Sequence, residues 1–168
     1  MEIRPAAIAD AEGMWEIFRR VVATEDTYVF AADTSREEAI AYLLPEGGWA
    51  YVAEAEGQIV GLYRMVANQR DLGSHVANAS FMVHPEWGGK GIGTALGWHC
   101  LRQAKAEGFL VMQFNIVVST NEAAVRLWKK LGFAIVGTLP KAIRNKQLGY
   151  VDAYVMYRFL DDISAPKS

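Results

Sequence analysis

Apolar positions recur along the chain in two spacings, and the switches between them mark its elements. Met14, Trp15, Ile17, Phe18, Val21 and Val22 form one stripe at helical spacing, which predicts a helix capped by Asp10 and ending near Thr24. Ser35 followed by Glu38 is a capping-box signature for a second helix through Leu44, closed by Pro45 and the Gly47-Gly48 pair. Trp49 to Ala55 and Gln58 to Ala67 read as strands, and the short Glu56-Gly57 connection predicts an antiparallel hairpin. His75 to Val83 reads as a strand, Gly93 to Glu107 as a helix, Leu110 to Val118 as a strand and Asn121 to Lys130 as a helix. Glu2 to Arg4 supplies a short first strand, and Phe133 to Gly137 with Val151 to Phe159 close the sheet. Strand, helix and strand between His75 and Val118 predict a parallel pair joined by a right-handed crossover.

The junction inside that unit carries chemistry. Gly88, Gly89, Gly91 and Gly93 let main-chain N–H groups curl around an anion, and the following helix points its positive dipole end at the same place. No Ser, Thr, Asp or Asn stands between Pro85 and Gly93 to cap that helix, so a phosphorylated ligand is the expected partner of its first amides. Lys90 is followed by Gly91 rather than Ser or Thr, and the glycines alternate, so neither the nucleotide P-loop nor the dinucleotide fingerprint fits.

Val83 through Gly93 instead resembles the acyl-CoA turn of the GCN5-related N-acetyltransferases, Val-x-Pro-x-x-(Arg/Gln)-Gly-x-Gly-(Ile/Val)-Gly, with Gly88 where that family usually has Arg or Gln. The run Asn-Glu-Ala-Ala-Val-Arg-Leu-Trp-Lys-Lys-Leu-Gly-Phe from Asn121 to Phe133 is similar to the same family's second helix motif, and the two motifs come in the family's order. The resemblance implies an α/β fold of that family, with one mixed sheet of about six to seven strands, about four flanking helices, and a splay between the strands ending near Val83 and Val118. It implies acetyl-CoA as co-substrate; His75, His84 and His99 lack a metal-ligand spacing, so no metal is expected. The cofactor set it implies is Phe81, Met82, Val83, Gly88, Gly89, Lys90, Gly91, Ile92, Gly93, Thr94, Asn121, Trp128 and Lys130. Pro85 cannot donate a ladder hydrogen bond, so strand pairing is expected to stop near Val83 and to free main-chain groups of Phe81, Met82 and Val83 for the pantetheine arm.

Alternation places Asn78, Ser80 and Met82 on one strand face, and Gln113, Asn115 and Val117 on one face of the neighbouring strand. Central parallel strands usually read as apolar runs, so these polar residues point to a ligand-facing cleft. The run Met112 to Glu122, with Leu127-Trp128, Gly137 to Pro140 and Gly149 to Ala153, resembles the branch of the family that acetylates L-azetidine-2-carboxylate and related proline analogues. That narrower resemblance implies Asn115 and Asn121 as catalytic residues orienting the amine. Asn78, Ser80, Gln113 and Tyr28 then contact the substrate. Asn121 also reads as a helix N-cap. Acceptors of the phosphinothricin or methionine sulfoximine type, a protein N-terminus, and a CoA-binding sensor without turnover stay open as alternatives.

Trp128 stands where many family members carry a tyrosine acid, which leaves the departing thiolate to be protonated by water, Tyr28 or Tyr63. His75, Glu54 and Asp152 are the candidate bases, with a water relay as the alternative, and a main-chain N–H near Met82 or Val83 is expected to steady the oxyanion. Cys100 falls mid-helix on a core-facing position, so no covalent acyl-enzyme is expected.

Composition then bounds the setting. At 168 residues with 52% apolar, the chain is expected to form a single domain over residues 1–162, with Ile163 to Ser168 as a frayed tail. A net charge of −2 gives no basic field, so neither nucleic acid nor membrane is an expected partner. One cysteine and no leader-like segment make the cytoplasm the expected location. The oligomeric state stays open, a homodimer included.

Overall fold

The computed structural model describes residues 1–164. Strands β1 (Glu2–Pro5), β2 (Trp49–Ala55), β3 (Gln58–Ala67), β4 (Val76–Val83), β5 (Val111–Val118), β6 (Ala134–Asn145) and β7 (Gly149–Phe159) form one sheet in the order β1-β2-β3-β4-β5-β7-β6. Helices α1 (Ala11–Val22), α2 (Arg36–Leu43), α3 (Ile92–Ala106) and α4 (Glu122–Lys130) connect them. All neighbouring strands are antiparallel except β4 and β5, the pair joined through α3. The β2–β3 turn uses positive φ at both Glu56 (52°) and Gly57 (75°), the twist that a two-residue hairpin requires. The fold therefore matches the mixed α/β sheet implied by the motifs, with seven strands and four helices.

Each sheet face buries its own cluster. Met14, Ile17, Phe18 and Val22 of α1 pack with Ala39 and Leu43 of α2 against Val52, Leu62 and Met82. On the other face Leu96, Cys100, Leu101 and Ala104 of α3 join Trp128 of α4, Tyr63, Met65, Ala77, Ala79, Met112, Phe114 and Met156. Both clusters follow from strand parity: Leu62 and Tyr63, or Met82 and Phe81, turn to opposite sides.

The parallel pair separates far sooner than expected. Its only partners are Val76↔Val111 and Ala77↔Met112, so the opening starts at Asn78 rather than near Val83. Pro85 is not its cause, because pairing with β5 has already ended at Ala77, well before the proline, while on the β3 side His84 N–H still donates to the Val60 carbonyl at 2.9 Å. The angle is filled from the α3/α4 side, where Trp128 contacts Phe81 and Phe114 with ring centroids 4.8 and 4.7 Å away. Strand β5 follows β7 with a register shift between Phe114 and Val117. This bulge reverses the parity: Val117 packs with Phe114 and Trp128, not beside Gln113 and Asn115 as simple alternation predicts.

Three further expectations change. Strand β6 continues from Ala134 to Asn145 past Pro140, in register with β7 apart from shifts after Ile135 and Leu139. As an outer strand it tolerates a proline and exposed polar positions, which disguised it. Ile163 is buried against the α3 cluster and donates its N–H to Leu160, so it is not part of a frayed tail. Ser164 is exposed, and the remainder of that expected tail, 165–168, lies outside the described residues. Asp10 precedes α1 but makes no side-chain cap. Its carboxylate accepts from Ala7 N–H at 2.8 Å and from both Nη atoms of Arg4 at 2.9 and 2.8 Å, while Arg4 also binds Glu54 of β2.

The Arg4 hydrogen bonds hold the Asp10 carboxyl below its ordinary value of 3.8. A lowered folded value means that the stabilisation is complete above the unfolded value and is lost as pH falls through the folded one. Asp10→Asn is therefore expected to lower Tm at pH 7 and to flatten the loss of Tm below about pH 4. Thermal melts of both proteins across pH 2.5–7 check this, and parallel curves would refute it.

Candidate active site

Helix α3 begins at the mouth of the opening. Its N-cap Gly91 is left-handed, with φ +80°, and supplies no side-chain cap; Gly89 is left-handed too, with φ +74°. Nothing lies within 4 Å of where a Cβ would stand on either residue, so the turn presents bare main chain. At Gly93 a Cβ would reach 3.2 Å from Leu127 Cδ2, so glycine lets α3 lie close on α4. Gly88, Ile92 and Thr94 complete the turn, while Lys90 lays its ammonium over the Trp87 ring, 4.2 Å from the centroid. Lys130 is exposed on the last turn of α4.

The free edge of β4 can be read from its remaining bonds. His84 N–H and Val76 carbonyl turn toward β3, whereas His75 carbonyl accepts from Leu110 beside β5. Antiparallel pairing alternates, so the main-chain groups of Ala79, Phe81 and Val83 face the opening and those of Met82 face β3. The expectation that the Met82 amide is free for a ligand is therefore corrected: it faces β3, and the groups left open are those of Phe81 and Val83. The Phe81 carbonyl already accepts the hydroxyl of Tyr28, from the segment between α1 and α2. Burial pushes the Tyr28 phenol well above its usual range, with the Tyr42 side chain adding to the shift and the Phe81 bond opposing it.

Over the opening lies a cleft. Its walls include Asn78, Ser80, Asn115 and Asn121, with Tyr28 and Tyr42 above and Phe81, Phe114 and Trp128 below. Asn121 Oδ1 accepts the Ala124 N–H at 3.3 Å, so it caps α4 and lines the cleft at once. Asn115 Nδ2 donates to Asn68 Oδ1 at 2.7 Å, and Gln113 Nε2 donates to Asn115 Oδ1 at 3.0 Å. The structure does not place Gln113 on the cleft wall, where a substrate contact was expected; its side chain is taken up by Asn115. Ser80 Oγ and Tyr42 OH are 2.5 Å apart.

Sequence reasoning missed Asn68 and Tyr42. Asn68 had a signal, as a carboxamide just past the apolar run of β3; Tyr42 had none, since an aromatic residue in a short helix reads as core.

The candidate bases stand elsewhere. His75 is exposed at the start of β4, Glu54 is bound to Arg4, and Asp152 accepts the Lys141 N–H at 3.0 Å. None of the three lines the cleft, whose wall holds no Asp, Glu, His, Lys or Arg. Tyr63 is on the far face, fully buried, with its hydroxyl 2.8 Å from His99 Nδ1, so it is no proton donor to this site. Burial raises the Tyr63 phenol and lowers the His99 imidazole, so both are held in their neutral forms. Burial also raises the Cys100 thiol, which sits against Met65 and away from the cleft.

A mixed sheet opened at its parallel pair, beside a glycine-rich helix start, defines a class of α/β acyltransferase folds. The sequence profile of the acetyltransferase (GNAT) family matches residues 12–133, and the chain belongs to that family. It is 38% identical over 103 residues to N-acetyltransferase aca1 of Schizosaccharomyces pombe, covering 60% of this chain and 49% of that protein. It is 35% identical over 109 residues to the L-amino acid N-acetyltransferase AaaT of Escherichia coli, covering 64% of this chain and 65% of that one. The chain thus matches about half the length of the first relative and just under two thirds of the second. A GCN5-related N-acetyltransferase from Kribbella flavida superposes with a TM-score of 0.89 at 36% identity, over 94% of this chain and 96% of that one. yncA of Salmonella typhimurium, solved with its cofactor acetyl-CoA, gives 0.81 at 27% identity over 100% and 98%.

The residues at the opening fit such a cofactor: bare left-handed glycines and an uncapped helix start suit a pyrophosphate, and the free edge of β4 suits an extended amide arm. Gly91→Val forces a branched residue into left-handed backbone, at about 1–2 kcal/mol, and puts side-chain bulk on the bare turn. Calorimetry is expected to show CoA affinity reduced at least tenfold in a mutant that still melts cooperatively; unchanged affinity would contradict this reading of the turn.

Proposed function

We propose that this protein transfers the acetyl group of acetyl-CoA to the amine of a small amino-acid-like acceptor, with L-azetidine-2-carboxylate or a similar proline analogue as the first to test. The observation that carries the reading is the cleft itself. It lies over the β4–β5 opening, is roofed by Tyr28 and α2, and is walled by Asn78, Asn115 and Asn121 with the hydroxyl-bearing Thr27, Tyr42 and Ser80, and no Asp, Glu, His, Lys or Arg lines it. Such a wall suits a compact, polar acceptor whose amine is oriented by carboxamides. The name of the Escherichia coli relative, an L-amino acid N-acetyltransferase, supports the same acceptor class.

In this reading the neutral amine attacks the thioester carbonyl directly. Asn115, held between Gln113 and Asn68, and Asn121, held by its cap, fix the lone pair toward the opening. The Val83 N–H, turned into the opening, stabilises the oxyanion. With no base on the wall, the amine proton leaves to water, and water returns one to the thiolate. Trp128 contributes shape alone, as the floor under the reacting groups. A cytoplasmic location and a single domain that extends through Ile163 are part of this proposal, with a homodimer left open.

Free thiol released from acetyl-CoA with a panel of amino acids tests the reading. Turnover with azetidine-2-carboxylate supports it, whereas acetyl-CoA binding without turnover on any amine would leave a cofactor-binding sensor. Asn121→Ala is expected to lower kcat at least tenfold while the acetyl-CoA dissociation constant stays within about twofold, and equal losses would reduce Asn121 to a cap worth about 1 kcal/mol. Because no wall residue serves as base, the rising limb of kcat/KM with pH is expected to follow the amine pKa of each acceptor. A limb fixed at one pH for acceptors of different basicity would reveal an enzyme base instead.

A further inference from the structure

Arg64 lies on β3 directly opposite Ser80 of β4, on the sheet face that carries the cleft. Among the described residues it forms no ion pair, and its Nε is buried without a hydrogen-bond partner. Its guanidinium carbon stands 4.3 Å from the centroid of the Tyr42 ring. That ring ends in the Tyr42 hydroxyl, 2.5 Å from Ser80 Oγ, and both residues line the cleft. A half-buried cation thus backs the wall of a chamber that holds no charge of its own.

That arrangement calls for an anion on the other side. A positive charge partly withdrawn from water is screened less than one at the surface and acts over several ångströms, and its stacking on the Tyr42 ring holds it beside a residue of the wall. An anionic group entering a neutral cleft gives up its hydration, and it recovers that loss only where donors and positive potential coincide. Here they coincide at the Tyr42–Ser80 hydroxyl pair, backed by Arg64.

We propose that Arg64, acting through the Tyr42 ring and the Tyr42–Ser80 hydroxyl pair, makes the cleft select acceptors that carry a carboxylate beside the amine. This rests on the amino-acid reading of the cleft and sharpens it. Arg64 is a positioning residue: it backs the wall, and the hydroxyls meet the carboxylate. Asn115 and Asn121 then hold the amine end of the same molecule on the opposite side of the opening.

The experiment compares an amino acid with its primary amide, which keeps the amine and the shape and removes the charge. Wild type is expected to prefer the acid in kcat/KM. Arg64→Gln is expected to reduce that preference about tenfold through a higher KM for the acid, and Arg64→Lys to restore most of it by returning the charge. Equal losses for acid and amide in Arg64→Gln would overturn the proposal while leaving the acetyltransferase reading intact. Turnover by wild type on neither compound, nor on any other amino acid, would overturn both. If Arg64→Gln no longer binds acetyl-CoA and so has lost its fold, Tyr42→Phe decides. It keeps the ring and removes the hydroxyl, and the proposal requires the same selective loss for the acid; an unchanged preference for the acid overturns it.

Discussion

Beyond Ala77 and Met112 the two parallel strands at the centre of the sheet exchange no hydrogen bonds, and the rest of the site follows from that gap. A row of main-chain donors and acceptors left open inside a protein costs free energy unless something pairs with it. Here the Phe81 carbonyl is met by Tyr28, Trp128 fills the angle below, and the neighbouring groups of β4 stand beside a helix start that is itself uncapped. Two sets of unpaired main-chain groups thus converge at one end of the sheet, one offering a strand edge and the other an anion cradle. A long ligand with a phosphorylated end and an amide-bearing arm completes both.

The gap is held open rather than merely tolerated. On one side the stacked and tilted rings of Phe81, Phe114, Phe133 and Trp128 make a rigid wedge. On the other, Gln113, Asn115 and Asn68 link β5 to the end of β3 across the place where pairing stops. The cleft accordingly has an apolar floor and a carboxamide wall.

Much of this was legible in the sequence because it depends on local rules. The glycine turn, the capping box at Ser35 and Glu38, and the hairpin at Glu56-Gly57 are each written in a few adjacent residues, and the structure forms all three. What was not legible depends on distant partners. Asp10 looked like a cap until Arg4 took its carboxylate, and Glu54 looked available until the same guanidinium bound it. Pro85 drew attention as the cause of strand separation, yet the aromatic wedge sits where the strands part and comes from α4, well over a hundred residues into the chain. Tyr42 reaches the cleft, and Arg64 reaches Tyr42, only through the packing of α2 on the sheet, which no spacing within either element announces.

The bulge in β5 makes chain length between Gln113 and Asn121 part of the site. By turning Val117 inward, it lets one strand give a carboxamide to the cleft and then, a few residues on, a hydrophobic anchor to the floor. Loss or gain of one residue in that stretch would exchange the two roles, setting Asn115 against the core or Val117 against the acceptor. Tolerance to insertion is therefore least where the strand looks most irregular.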